Sequence, residues 1–156
     1  MGLEIERKFL VINELWKSHV ESESQLKQGY LATQNNATIR VRIAENQAML
    51  NIKGVTTGIR RSEYEYEIPL QDAQEMLDNL TEDSIIDKVR YQVRCGNHIW
   101  DLDVFHGENK GLIIAEVELS TEDEGFIIPE WAGLEVSGDI KYYNASLVRK
   151  PYRYWK

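Results

Sequence analysis

The sequence predicts a mainly β (α+β) domain of seven or eight antiparallel strands with a few helices, closed as a barrel or stacked as a sandwich. Three observations predict it. Apolar and polar residues alternate with period two along most of the chain. Short turn-like connections join the alternating runs, so consecutive strands read as an antiparallel meander. The polar faces carry long charged side chains whose sign is sorted strand by strand.

The first run, LEIERKFLV, sets Leu3, Ile5 and Phe9 against Glu4, Glu6 and Lys8. Residues 13–23 are expected as a helix with Asn13 as N-cap, before a strand containing QGYL. TIRVRIA sets Ile39, Val41 and Ile43 against Arg40 and Arg42, and AMLNIKG sets Leu50 and Ile52 against Asn51 and Lys53, with Glu45-Asn46-Gln47 turning between them. RSEYEYEI sets Tyr64, Tyr66 and Ile68 against Arg61, Glu63 and Glu65. A helix over 71–80 follows from Leu70, Ala73, Met76, Leu77 and Leu80 at helical spacing. DKVRYQVR and HIWDLDVF, joined at Gly96-Asn97, set Val89, Tyr91, Trp100 and Leu102 against Lys88, Arg90, Asp101 and Asp103. LIIAEVELS sets Ala115 and Val117 against Glu116 and Glu118. Short helical turns are expected at 129–134, entered on proline, and at 143–149.

The 156 residues suit one domain, taken as 1–156. A net charge of −8 argues against a general nucleic-acid coat and against an anionic membrane surface. One cysteine, Cys95, excludes a disulfide within the chain and makes a Cys-based zinc site a poor reading. The start is charged at once and lacks an apolar h-region. No apolar run approaches the roughly 18 residues of a membrane span. A cytoplasmic location is the expectation.

A barrel with its charged faces inward explains the sorting better than a sandwich with them outward. An eight-strand barrel has an interior just wide enough for side chains or one small ligand. The inward cations would be Lys8, Arg40, Arg42, Lys53, Arg61, Lys88 and Arg90, a set suited to phosphate or carboxylate. Two like charges about 4 Å apart repel by about 4 kcal/mol at an effective dielectric of about 20. The inward acids therefore need arginine partners, protons or a hard ion such as Mg²⁺ or Mn²⁺. Basic groups with a carboxylate-held divalent ion are the parts for phosphoryl transfer.

Glu4-x-Glu6-x-Lys8 resembles the ExExK signature of the CYTH superfamily, the triphosphate tunnel metalloenzymes. QGYL, IRVR, IKG, RSEYEYEIP, DKVRY, WDLDVFHG and AEVEL, in one collinear order over residues 3–148, are similar to its small bacterial branch. The final RKPYRYWK matches none of its motifs.

The resemblance implies an eight-stranded antiparallel β-barrel tunnel with a polar charged lumen that binds a triphosphate. It implies Glu4, Glu6 and Glu118 as metal ligands for Mg²⁺ or Mn²⁺, with Glu116 as a further ligand or supporting acid. Lys8, Arg40, Arg42, Lys53, Lys88 and Arg90 would hold phosphate oxygens, with Arg61 a further member. Tyr30 is a candidate catalytic residue paired with Lys88, because a neighbouring ammonium favours a phenolate that can activate water.

The resulting expectation is a metal-dependent hydrolase cleaving inorganic tripolyphosphate to pyrophosphate and phosphate. Thiamine or nucleoside triphosphatase and class IV adenylate cyclase are the alternatives within the superfamily; a non-catalytic polyphosphate or nucleotide sensor is the alternative outside it. The partner is a small-molecule triphosphate, with no nucleic acid and no membrane. A homodimer would cover apolar outer faces around Tyr64, Tyr66 and Trp100. His19, His98 and His106 share no ligand spacing. Tyr152, Tyr154 and Trp155 are expected to cover an open barrel end or to pack outside it.

Overall fold

The computed structural model describes residues 2–33, 36–82 and 84–155. Among the described residues nine strands are formed. They are β1 (Leu3–Val11), β2 (Val20–Thr33), β3 (Ala37–Ala44), β4 (Gln47–Gly54), β5 (Arg60–Ile68), β6 (Ile86–Cys95), β7 (His98–Phe105), β8 (Ile113–Glu118) and β9 (Ala132–Glu135). Helix α1 (Leu70–Asn79) and helix α2 (Asn144–Leu147) are the α-helical elements. Hydrogen bonding runs β5-β4-β3-β2-β6-β7-β8-β1, and β1 also pairs with β5, which closes an eight-strand antiparallel barrel. No helix among the described residues is long and apolar enough to cross a membrane.

Closure depends on the length of β1. Its residues Leu3–Ile5 pair with β5, and Glu6–Leu10 pair with β8 on the opposite edge. The edge beyond β5 would leave backbone groups of β1 without partners, and β9 supplies them at Phe9 and Val11. This demand overrides the helical turn expected at 129–134, where one turn from Pro129 leads directly into β9. Gly133 lies against Ile12 there: a Cβ at this glycine would come within 2.4 Å of the isoleucine side chain.

The helix expected over 13–23 is also replaced. Asn13 Oδ1 accepts a hydrogen bond from the Leu15 amide, and only Leu15–His19 turn, as a 3-10 helix. From Val20 the chain pairs with β6, so a ladder of inter-strand bonds overrides local helix preference. Helix α1 and the turn at Gly96, where φ is +61°, fall where the periodicity places them.

The alternation divides the barrel wall into two surfaces. Outside, Phe9, Val93, Trp100, Leu102 and Val117 form the main core with Trp16 and Trp131. Trp100 is thus buried beneath the excursion containing Phe126 and Trp131, while Tyr64 and Tyr66 on β5 remain exposed. Helix α1 covers β3 and β4 through Ala73 and Leu77 against Val41 and Ala48. A third cluster joins Leu147 and Val148, at the end of α2, to Tyr30, Ile86, Phe105, Leu112 and Ile114. Register places Tyr30 opposite Arg40 and Phe105 opposite Lys88, so this apolar cluster shares the inner face with the charges.

Candidate active site

The inner surface encloses a cavity of about 800 Å³. Because side chains on one face recur every second residue, the strands deliver their charges to it as rows. Its lining includes Glu4, Glu6 and Lys8 of β1, Tyr30 of β2, Arg40 and Arg42 of β3, and Lys53 of β4. Arg61, Glu63 and Glu65 of β5, Arg90 of β6, Asp101 of β7, and Glu116 and Glu118 of β8 complete the strand contribution. Cross-strand pairing joins Glu6 with Glu118, Lys8 with Glu116, Lys53 with Glu63, and Arg90 with Asp103.

Cations and acids offset one another around the wall. Lys53 Nζ donates to Glu4 at 3.3 Å and lies 3.5 Å from Glu63. Arg42 donates to Glu65 at 3.2 Å, and the buried Asn51 amide donates to the same carboxylate at 2.6 Å. Lys8 Nζ lies 4.0 Å from Glu116, donates to the Tyr142 carbonyl at 3.4 Å and sits 5.2 Å from the Tyr143 ring centre. Three arginines are incompletely matched. Arg40, Arg42 and Arg61 each hold a buried Nε with no hydrogen-bond partner among the described residues. Burying such donors without acceptors costs free energy, which an anion in the cavity would recover.

Lys88 differs from the expected phosphate contact. It points inward but lies beneath the cavity wall, about 1% exposed, and donates to Asp103 Oδ2 at 2.8 Å. Arg90 donates to both oxygens of the same carboxylate, at 2.8 and 2.9 Å. Burial pulls the Lys88 ammonium down to about 8, with Asp103 opposing the shift and Arg90 adding to it. Burial disfavours the charged Asp103, yet Arg90 and Lys88 outweigh it and hold the carboxylate far below its ordinary range. Tyr30 lines the cavity while packing against the apolar cluster at α2.

The four acids of β1 and β8 are crowded. Burial raises Glu6 well above the usual carboxylate range, and Glu116 and Glu4 raise it further; Glu6 shares a hydrogen bond with Glu116. Burial also works against charged Glu116, but Lys8 and Arg90 hold it down to about 2. Glu118 is raised by burial and by Glu4, Glu63 and Asp101. Carboxylates that repel one another in a polar cavity are the donor chemistry of a hard divalent cation. Among the described residues no three acid, histidine or cysteine side chains converge as a metal cage. Glu4 turns to Lys53 and Glu116 towards Lys8, so these acids would have to turn to share an ion, while their all-oxygen donor chemistry suits a hard cation.

The family profile described as CYTH domain matches residues 2–152. The chain belongs to the CYTH domain family. Among CYTH relatives, the inorganic triphosphatase of Acetivibrio thermocellus is 44% identical over 156 residues, covering 100% of this chain and 99% of the relative. The inorganic triphosphatase of Nitrosomonas europaea is 36% identical over 148 residues, covering 92% and 95%. The crystal structure of the inorganic triphosphatase NE1496 superposes with a TM-score of 0.68 at 35% identity, covering 95% of each chain. A Pyrococcus horikoshii protein, PH1012, at 19% identity and TM-score 0.60 over 78% of this chain and 82% of that one, shows the same fold.

Sequence reasoning missed the part of the cavity that comes from outside the strands. Ser137, Ile140, Tyr143, Asn144, Ser146 and Arg149 line it from the segment after β9. The 143–149 helical turn was legible, but a single turn carries no alternation that says which side faces the lumen. His98 is engaged elsewhere, hydrogen-bonded to Glu124 at 2.5 Å outside the cavity.

Proposed function

We propose that this CYTH domain is a metal-dependent inorganic triphosphatase that hydrolyses tripolyphosphate to pyrophosphate and phosphate. The observation that carries the reading is one cavity lined both by Arg40, Arg42 and Arg61, each with a buried Nε unpartnered among the described residues, and by the crowded acids Glu4, Glu6, Glu116 and Glu118. Full-length similarity to relatives named inorganic triphosphatase supports the same substrate class. The single cysteine suits the reducing cytoplasm.

In the proposed chemistry, Lys8, Arg40, Arg42, Lys53, Arg61 and Arg90 bind the phosphate oxygens and spread their charge. Arg forks fix the chain of phosphates against rotation, which favours in-line attack. Glu4, Glu6 and Glu118, with Glu116, would hold Mg²⁺ or Mn²⁺. The ion would supply charge neutralisation at the phosphates. Tyr30, in its phenolate form, would accept a proton from the attacking water and become the neutral phenol as the water oxygen bonds to the terminal phosphorus. The P–O bond to the neighbouring phosphate breaks, and pyrophosphate leaves with the electron pair. The structure does not pair Lys88 with Tyr30: it lies in register with Leu26 and Phe105, is held by Asp103 beneath the wall, and helps fix the carboxylate that anchors Arg90.

The test is incubation with Mg²⁺ or Mn²⁺ and, separately, tripolyphosphate, ATP and thiamine triphosphate, measuring phosphate release and cyclic AMP. Tripolyphosphate is expected to turn over fastest. Cyclic AMP from ATP would replace the reading with a cyclase; tight triphosphate binding without turnover would replace it with a sensor.

A further inference from the structure

The C-terminal residues RKPYRYWK match none of the motifs, yet they are tied down at several points. Tyr152 donates its amide to Asn109 Oδ1 at 2.8 Å, and Asn109 is itself buried in the β7–β8 connection. Gly111, in the same connection, adopts φ +102°, and a Cβ there would lie 3.4 Å from the Tyr152 ring. Arg153 donates to Glu108 at 3.3 Å. Trp155 closes back on the chain, donating Nε1 to the Lys150 carbonyl at 3.0 Å.

The Trp155 indole then reaches the segment that lines the cavity. It meets the rings of Tyr152 and Tyr142 edge-on, with centres 5.0 and 5.2 Å away. The Lys141 ammonium lies 4.8 Å from its centre. Tyr142 provides the carbonyl that accepts from Lys8 Nζ, and the next residue, Tyr143, provides the ring beside that ammonium. One line of contacts therefore runs from a tail outside the barrel, through Trp155 and Tyr142, to a cation of the cavity.

We propose that Trp155 is a positioning residue, which sets the Lys8 ammonium for a phosphate oxygen by fixing the backbone at Tyr142 and Tyr143. The inference rests on the triphosphatase reading above. Lys8 has competing partners, Glu116 and the Tyr142 carbonyl, and a displaced carbonyl would leave it to the carboxylate. The aromatic contacts are directional, so a smaller side chain at 155 removes the constraint without adding charge.

The experiment compares Trp155→Ala, Trp155→Phe, Lys8→Met and the double variant Lys8→Met/Trp155→Ala in the full chain. KM and kcat for tripolyphosphate are measured beside thermal unfolding. Trp155→Ala is expected to raise KM about fivefold with kcat within about twofold, the size of one lost positioning contact. Trp155→Phe is expected to restore most of the affinity. In the Lys8→Met background, the Trp155 change is expected to leave KM nearly unmoved. Equal KM effects with and without Lys8 would overturn the proposal, as would lower thermal stability with unchanged KM. Absence of triphosphate turnover and binding in the unaltered protein would instead overturn the triphosphatase reading, so the two failures are distinguishable.

Discussion

Lys88 and Asp103 form an ion pair at 2.8 Å in which both side chains are about 1% exposed. A charge pair this deep exists only because Arg90 also grips the carboxylate, leaving neither oxygen without a donor. Replacing Asp103 by Asn would strand Lys88 and Arg90 in a buried site. Loss of about 3–5 kcal/mol in unfolding free energy is expected, measured by urea denaturation. A loss below about 1 kcal/mol would show that the site readily admits water.

The same pair makes stability depend on pH in a definite direction. Lys88 is depressed from 10.5 to about 8, so between those values the unfolded chain binds more protons than the folded one. Its contribution to stability therefore rises with pH across that window. Asp103 is depressed below 3.8, so its contribution is present above that value and is lost as pH falls below it. Subtracting the Lys88→Met curve from the unaltered protein's curve isolates the alkaline effect; a flat or falling difference between pH 8 and 10.5 would contradict it.

Tyr30→Phe removes one hydroxyl from the cavity and leaves the ring in its apolar cluster. If the phenol activates water, kcat for tripolyphosphate drops by about 100-fold or more while KM changes little. Unchanged turnover would transfer the base role to another group.

Arg42→Gln deletes a guanidinium whose Nε is buried without a partner among the described residues and whose terminal nitrogen reaches Glu65. In the proposed role its charge meets the substrate, and KM is then expected to rise about 10-fold or more. Isothermal titration with tripolyphosphate checks the same loss without turnover.

Glu118→Gln and Glu4→Gln each take one oxygen donor from the proposed cation set. Divalent-ion-dependent phosphate release is expected to fall steeply in both, and chelation of the unaltered protein should do the same. Full metal-dependent activity in either variant would remove that residue from the set. Lys53 serves as the control on folding: freed from Glu4 at 3.3 Å, it retains Glu63 at 3.5 Å, so thermal unfolding of Glu4→Gln should shift only modestly.

The barrel strands were legible because alternation is a property of consecutive residues. Once Glu4, Glu6 and Lys8 share a face of β1, no tertiary contact is needed to align them. The rows Arg40/Arg42 and Glu116/Glu118 follow by the same logic. The 13–23 and 129–134 segments were misread because their fate lay with distant partners. Val20 pairs with Val93, and Ala132 pairs with Val11, on edges that local spacing does not reveal.

The sequence by itself determined a charged, strand-built interior and the chemistry available to it. Tertiary structure alone decided how that chemistry is distributed. It set Lys88 on Asp103 beneath the wall, left the Nε groups of Arg40, Arg42 and Arg61 unpartnered among the described residues, and brought Tyr143 and Arg149 into the cavity from beyond the strands. The reason is physical: periodicity says which side chains share a face, while burial and pairing depend on what the closed barrel places opposite them.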